Sequence, residues 1–483
     1  MNEPREDVLN FVRSKIVQGP VAMKRMALGS GREEEVRLRH AFKEVMRSVE
    51  GYMKGGEHML LISGIRGAGK STLMAQTYQE LLSRGFAANR MVCVSMDEAK
   101  LAVGASVEEI FQAVQVMIPE DFLSMKKRDV FLFLDEVQYD DDWSLALKVI
   151  YDKAPDLFLL CTGSSALHLQ GQGDLARRGR FLELPPLGLS EYLELSNLGA
   201  YDAKTAEDLA DALFNSDDAS ECYERLMKVA SPGSGSDVNP GVLVKYLTQG
   251  SLPIFLQEDD PQELKNKYIQ LLEKVVFMDM PGICSFDRET SVKISQMTYL
   301  LADSDRISYE KIGKTVELSK GTITPAFRGL ERAGIIVTLR GRGGEHARVG
   351  SAPRYKFNAP AMHAAMLGRM GREIESPAVY GALFEDAVVG RMNLLAKSGF
   401  LRDLWYESHE GSVDLVVRSK DGERISIELG WGRKDSRQSR VGGDSCKYHL
   451  VASSTHLQRK DDVVFVPREY ILFAGLGAKP ERT

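Results

Sequence analysis

Three short runs of consecutive apolar residues stand out in the first third of the chain. They lie within residues 58–63, 130–135 and 156–161, and each contains four or five apolar residues in succession. Runs of this length that do not alternate with polar residues are typical of parallel strands covered on both faces. Residues 72–82 then place apolar side chains at helical spacing and stop near Gly85. The pattern predicts an α/β fold whose core is a parallel sheet with helices packed on it.

Helical spacing extends on both sides of this region before the pattern changes. Residues 1–50 and 200–285 are predicted to be mainly helical, with a loop at the Gly- and Ser-rich stretch 231–240. Residues 290–360 predict three helices and a hairpin, which is the layout of a winged helix, and apolar and polar residues alternate in the strands that follow. The predicted division is an N-terminal helical lead (1–50), a core (51–195), a helical lid (196–288), a winged helix (289–360) and a C-terminal α/β domain (361–483).

A glycine-rich motif connects the first apolar run to its helix. Residues 64–71 read G-I-R-G-A-G-K-S, a match to G-x-x-x-x-G-K-[ST] in the strand–loop–helix setting that this motif requires. The glycines let backbone N–H groups turn towards phosphate, Lys70 can reach the β- and γ-phosphates, and the Ser71 hydroxyl can bind Mg²⁺. The predicted loop contacts of ATP are Gly64, Ile65, Arg66, Gly67, Ala68, Gly69, Lys70, Ser71 and Thr72. This motif predicts a site for ATP and Mg²⁺.

Polar residues at the ends of later strands extend the predicted site. Asp135 and Glu136 end the second run, where Asp135 suits a partner of Mg²⁺ and Glu136 suits the residue that polarises attacking water. Ser164 follows the third run and is predicted either to sense the γ-phosphate or to cap a helix. Arg180 belongs to a cluster of three arginines that either stabilises transition-state charge, in its own subunit or across an interface, or is a solvated face. Together these residues favour ATP hydrolysis over ATP binding alone.

The series of motifs resembles a family of prokaryotic ATPases in the AAA superfamily. The resemblance covers the loop at 64–72, the acidic strand end at 134–138, the tip at 162–165, the Gly179–Arg180 pair and the turn at 186–191. It extends to 246–253 and, more loosely, over about residues 55–460. The resemblance implies an ATPase core followed by a helical lid, a winged helix and a domain similar to PD-(D/E)XK nucleases.

The C-terminal domain carries carboxylates that a strand register can bring together. Apolar residues of 413–417 and 425–429 must share a face, and a three-residue loop with left-handed Gly422 then places Asp414 opposite Glu428. Glu385 resembles the helical glutamate of the nuclease family, so the resemblance implies a second metal site of Glu385, Asp414 and Glu428. The family's lysine, however, is replaced by Gly430, and Lys434 lies four residues further on. We therefore expect the fold to be retained without efficient cleavage.

Basic residues collect in the predicted winged helix. Between Ser319 and Lys356 lie eight Lys or Arg residues, namely 320, 328, 332, 340, 342, 348, 354 and 356, against Glu331 and Glu345. This surplus suits contact with the phosphates of duplex DNA, although winged helices are also protein-binding modules. Pro325 predicts that the third helix begins late, with Thr324 as its N-cap.

Composition narrows the class of protein but does not specify its pathway. Net charge of −6 excludes a globally basic nucleic-acid binder, and no apolar run approaches the length of a membrane span. The N-terminus is acidic and the five cysteines lack C-x-x-C spacing, so we expect a cytoplasmic protein without a zinc site. The sequence predicts an AAA-like switch or remodelling ATPase that acts with DNA and can form a homo-oligomer. The alternatives are an ATP-dependent nuclease of a defence or mobile-element system, and an ATP-sensing regulator whose winged helix binds protein.

Overall fold

Two compact units make up the chain, residues 1–185 (unit 1) and 186–483 (unit 2). The computed structural model describes residues 4–28, 37–118, 128–164, 175, 177–199, 203–229, 238–284, 286–304, 308–342, 353–407, 413–432, 446–454 and 456–475. The finer five-part division stays a prediction.

The apolar runs of unit 1 form a five-stranded parallel sheet in the order β2-β3-β4-β1-β5. Its strands are β1 (Met59–Gly64), β2 (Met91–Ser95), β3 (Val130–Asp135), β4 (Leu157–Gly163) and β5 (Arg180–Leu184). Its helices are α1 (Glu6–Leu28), α2 (Ala41–Met53), α3 (Lys70–Ser83), α4 (Met96–Val103), α5 (Val107–Met117) and α6 (Trp143–Lys153). Every residue of β1, β3 and β4 is buried because helices cover both faces, as the apolar run in each strand predicts.

The strand order brings candidate functional residues from different parts of the chain to one edge of the sheet. β4 lies between β1 and β3, with Leu60 opposite Leu160 and Leu134 opposite Cys161. Because the strands are parallel, the loop after β1, the acidic end of β3 and the end of β4 all lie at one edge of the sheet. This edge is where ligands bind in open α/β sheets.

Helices form the first half of unit 2. They are α7 (Leu189–Leu195), α8 (Ala203–Phe214), α9 (Ala219–Val229), α10 (Pro240–Gln249), α11 (Pro261–Lys274), a π-helical turn (Val275–Asp279) and α12 (Met280–Cys284). The predicted three helices and hairpin follow as α13 (Arg288–Asp303), α14 (Tyr309–Val316), α15 (Lys320–Arg332), β6 (Ile336–Leu339) and β7 (Arg354–Phe357).

The predicted late start of α15 is wrong. Ser319 is the N-cap and accepts a hydrogen bond from the N–H of Thr322, so Pro325 lies inside the helix. Pro325 has no N–H to donate to the carbonyl of Gly321. Gly321 lies in the exposed first turn of the helix, so water can bond to that carbonyl instead. The helix therefore extends one turn further towards its N-terminus than the proline suggests.

A six-stranded mixed sheet completes unit 2, in the order β12-β13-β11-β10-β9-β8. Its elements are α16 (Pro360–Arg369), α17 (Pro377–Lys397), β8 (Asp403–Trp405), β9 (Leu415–Arg418), β10 (Arg424–Leu429), β11 (Tyr448–Ser454), β12 (Gln458–Lys460), β13 (Val463–Pro467) and α18 (Arg468–Phe473).

The predicted register of the C-terminal hairpin is confirmed. Leu415 pairs with Ile427 and Arg418 with Arg424, which places Asp414 opposite Glu428 one step beyond the ladder. Gly422 has a φ of 93°, the left-handed conformation that a three-residue loop requires. Val413 departs from the prediction, because it precedes β9 and packs with Trp405 and Val416 instead of with Leu415.

Candidate nucleotide site

The phosphate loop (residues 64–72) is shaped by its glycines. Gly67 and Gly69 have φ angles of 83° and 93°, a region that side chains other than glycine rarely adopt. Gly64 is required for a different reason, because a Cβ there would lie 2.4 Å from the carbonyl oxygen of Leu184 on β5. The loop ends at the N-terminus of α3, whose first amides have no partner within the helix and suit an anion.

The side chain of Lys70 is buried and folds back onto the start of the phosphate loop. Its Nζ donates to the carbonyl oxygen of Gly64 at 3.0 Å and more weakly to that of Ile65 at 3.4 Å. Only 5% of the residue is exposed. An ammonium group is thus present where the motif predicts the β- and γ-phosphates.

Asp135 lies beneath the loop at the end of β3. It accepts a short hydrogen bond from the hydroxyl of Thr162 on β4, and the Ser71 hydroxyl bonds the same carboxyl group. Burial raises the pKa of Asp135 above its usual value, while the bonds from Thr162 and Ser71 oppose that rise. A buried carboxylate beside a serine hydroxyl is a donor set that Mg²⁺ accepts, so these two residues fit the predicted metal.

Glu136 is held at a defined place beside Asp135. Its N–H donates to the Thr162 hydroxyl at 3.1 Å, and its carboxylate accepts a short bond from the Gln138 amide. Glu136 has a φ of 53°, a left-handed conformation that costs about 1 kcal/mol or more for a residue other than glycine. Strain of this kind persists where neighbouring contacts determine the position of a side chain.

Thr162 belongs to the tip at 162–165, but the sequence did not indicate it as the residue that acts there. Its hydroxyl donates to Asp135 and accepts from Glu136, and the residue is fully buried. The predicted residue at this strand end is Ser164, which lies just beyond β4, and its role stays a prediction. A polar residue within an otherwise apolar strand was the available signal, but only the pairing of β3 with β4 connects it to both carboxylates.

Arg39 is a second residue that the sequence did not indicate. Its Nη1 donates to the carbonyl oxygen of Ala68 in the phosphate loop at 2.8 Å and to that of Pro185 at 3.0 Å. Only 6% of Arg39 is exposed. A buried guanidinium therefore contacts both the loop and the last residue of unit 1.

Arg180 lies at the other end of the sheet from the loop. In the parallel register Arg180 pairs with Leu60, whereas Leu184 pairs with Gly64. Four residues of strand, roughly 13 Å, therefore separate Arg180 from the start of the loop. Its Nη1 contacts the Ser48 hydroxyl on α2 at 3.0 Å. This separation favours a role across an interface over one within its own subunit, and both roles stay predictions.

The three carboxylates of the expected second metal site do not form a cluster. Across the described ranges, no group of three or more His, Cys, Asp or Glu is placed to hold a metal ion. Glu385 lies on α17, which packs with the Ile427 and Leu429 face of β10, whereas Glu428 alternates to the opposite face. Glu385 instead pairs with the buried Lys356 at 2.6 Å, and Asp414 accepts from the N–H of Leu429 at 2.8 Å. Lys434 lies outside the described residues.

Comparison with known proteins shows the family to which the chain belongs. Residues 56–193, which include the loop, Asp135, Glu136 and Thr162, match the model of a family described as an AAA domain. The uncharacterized protein MJ1637 of Methanocaldococcus jannaschii is 31% identical over 433 residues, which cover 89% of this chain and 86% of that protein. The chain belongs to the same family as MJ1637. Residues 56–193, most of which lie in unit 1, are its AAA-type domain.

Further likenesses to this AAA-type chain are more distant. An uncharacterized protein of Haemophilus influenzae is 25% identical over 150 residues, 30% of this chain and 35% of that protein. Among solved structures, the Walker-type ATPase Paby2304 of Pyrococcus abyssi has a TM-score of 0.42 and 13% identity, covering 71% of this chain and 99% of that chain. Within the part of the chain that the structure describes, none of the helices has the length and apolarity needed to span a membrane.

Proposed function

We propose that this protein binds ATP with Mg²⁺ in unit 1 and hydrolyses it to switch between two conformations. The observation that carries the proposal is the Thr162 hydroxyl, which joins Asp135 and Glu136 beneath the phosphate loop. A protein that only stores ATP would not need a second carboxylate beside the first, held in a strained backbone conformation.

Each side chain has a separate task in this proposal. Lys70 leaves the carbonyls of Gly64 and Ile65 to neutralise the β- and γ-phosphates. Ser71 and Asp135 would hold Mg²⁺, which would supply positive charge to the phosphate oxygens. Glu136 orients and polarises the attacking water.

The test is Glu136→Gln, which keeps the shape of the side chain but removes its charge. The variant should bind ATP as tightly as the wild type while its turnover falls by a factor on the order of 10² or more. Glu194→Gln is a matched control, since Glu194 lies on α7 in unit 2. Equal turnover by the wild type and Glu136→Gln would exclude Glu136 as the residue that activates water.

We also propose that unit 2 contacts duplex DNA through α15 and its neighbours. Lys320, Arg328 and Arg332 are all exposed on α15, and Lys311 is exposed on α14. Arg342 contributes less than the sequence suggested, because it lies 3.8 Å from the carboxylate of Glu407. Arg348 lies outside the described residues. Contacts of this kind go to phosphates and carry little sequence preference.

Salt dependence of DNA binding by the full chain tests this proposal. Replacing Lys320, Arg328 and Arg332 with Ala should make the slope of log affinity against log salt concentration less steep. The change should correspond to the loss of up to about three phosphate contacts. A triple variant of the exposed Lys204, Lys245 and Lys274 makes the same change in net charge elsewhere in unit 2. Binding that does not depend on salt, or equal slopes for both variants, would favour a protein partner for this region.

A further inference from the structure

Two hydrogen bonds from Arg39 connect the phosphate loop with the residue that follows β5. One nitrogen, Nη1, donates one N–H to the carbonyl of Ala68 at 2.8 Å and the other to the carbonyl of Pro185 at 3.0 Å. The two acceptors are 117 positions apart, in the phosphate loop and directly after β5. Bonds from a charged donor are stronger than bonds between neutral groups and are costly to break when buried.

The contact with Ala68 affects the amide that follows it. In a trans peptide the C=O and the next N–H point to opposite sides. When Arg39 holds the Ala68 carbonyl, the N–H of Gly69 is turned away from Arg39. Gly69 is the N-cap of α3, at the point where the motif presents backbone N–H groups to phosphate. The bond from Arg39 therefore fixes the direction of an N–H group of the phosphate loop.

The contact with Pro185 affects the segment that leaves unit 1. Two residues later, Leu187 is bonded on both sides within unit 2, since its N–H donates to Ser251 at 2.8 Å and its carbonyl accepts from the Tyr246 hydroxyl at 3.0 Å. Only Pro186 separates Pro185 from this anchored residue. A movement of the Pro185 carbonyl would therefore act on the chain directly before Leu187.

We infer that Arg39 is a positioning residue that orients the phosphate loop and transmits its nucleotide occupancy to the segment at residues 185–188. The inference rests on the proposed nucleotide site. When the loop closes around phosphate, the Ala68 carbonyl moves, Arg39 follows it, and the bond to Pro185 alters the joining segment. Arg39 deepens the proposed switch, because it supplies a physical route by which ATP bound in unit 1 changes a segment anchored in unit 2.

The experiment compares Arg39→Met, Arg39→Lys and the control Arg47→Met in the full chain. Arg47 is exposed on α2, so the control removes the same charge near the same element. The measurements are the affinity for ADP and for a non-hydrolysable ATP analogue, the ATPase rate, and amide exchange at Leu187 and Gly188 with and without nucleotide. Circular dichroism shows whether each variant is folded.

Arg39→Met should bind nucleotide on the order of 10-fold more weakly. At saturating nucleotide it should show no change in exchange at Leu187 and Gly188, whereas the wild type and Arg47→Met should show one. Arg39→Lys, which can still donate to one carbonyl, should recover affinity but not the full exchange response. A purely structural role would change exchange with and without nucleotide equally.

Two results would overturn the inference. One is an exchange response in Arg39→Met equal to that of the wild type at saturation, and the other is a wild type that binds nucleotide without any response at Leu187 and Gly188. The ATPase proposal fails separately. A wild type that does not hydrolyse ATP, but whose exchange response to nucleotide depends on Arg39, would refute hydrolysis and support the inference.

Discussion

Replacing Thr162 with Val should damage the nucleotide site more than its small size suggests. Valine has nearly the volume of threonine, so packing in β4 is kept and only the hydroxyl is lost. The hydroxyl donates to Asp135 and accepts from the N–H of Glu136. Its loss leaves a buried carboxyl group without one donor and an amide without its acceptor.

The expected magnitude follows from those two bonds. Leaving a buried polar group without a partner costs about 1–3 kcal/mol. Asp135 keeps its bond to Ser71 and the Glu136 amide is only partly buried, so we expect a total loss of about 2–4 kcal/mol in the stability of unit 1. Turnover should fall by a factor on the order of 10², because Glu136 loses the bond that positions it.

Thr77→Val is the matched control. Thr77 is also fully buried in unit 1, but its hydroxyl donates at 2.8 Å to the carbonyl of Leu73, which is already an acceptor within α3. Thr162→Ser keeps the hydroxyl and should restore turnover. Scanning calorimetry and steady-state ATPase assays measure both quantities. If Thr162→Val matched Thr77→Val in stability and in turnover, Thr162 would not link the carboxylates in the way the geometry indicates.

Four further predictions concern other parts of the chain. Lys70→Ala should lose ATP affinity in equilibrium binding, because a charge-assisted bond to phosphate disappears, and unchanged affinity would contradict this role. Arg180→Ala should lower turnover only where subunits assemble, and mixing it with Glu136→Gln protein should restore activity; a defect in an isolated monomer would oppose an interface role. Asp135→Asn should abolish turnover but stabilise the nucleotide-free protein at neutral pH. Burial raises the pKa of Asp135 in the folded protein, so the ionised carboxylate destabilises the fold at any pH above the usual pKa of an aspartate. The gain in unfolding free energy from Asp135→Asn, measured by urea titration, should therefore vanish at acid pH, where Asp135 is protonated. The C-terminal domain should not cut linear or supercoiled DNA with Mg²⁺ or Mn²⁺ and ATP, and cleavage that vanishes in Asp414→Ala would refute this.

Local patterns in the sequence predicted a large part of the structure. The phosphate loop, the buried strands and the helix after the loop depend on residues close together in the chain, where glycine conformation and hydrophobic spacing act directly. The pairing of Asp414 with Glu428 was also predictable, because a tight hairpin leaves few registers that keep apolar residues on one face.

Only the tertiary structure decided which of these residues meet. Thr162 reaches Asp135 because β4 pairs with β3, and Arg180 lies far from the loop because β5 pairs with β1 in parallel. Arg39 reaches Ala68 across 29 positions of the chain by a packing contact that has no periodic signature. Residue types and their spacing determine whether a segment forms a helix, a strand or a loop, and which functional groups it presents. The order and register of the strands decide which side chains share a site, because they depend on contacts between segments distant in sequence.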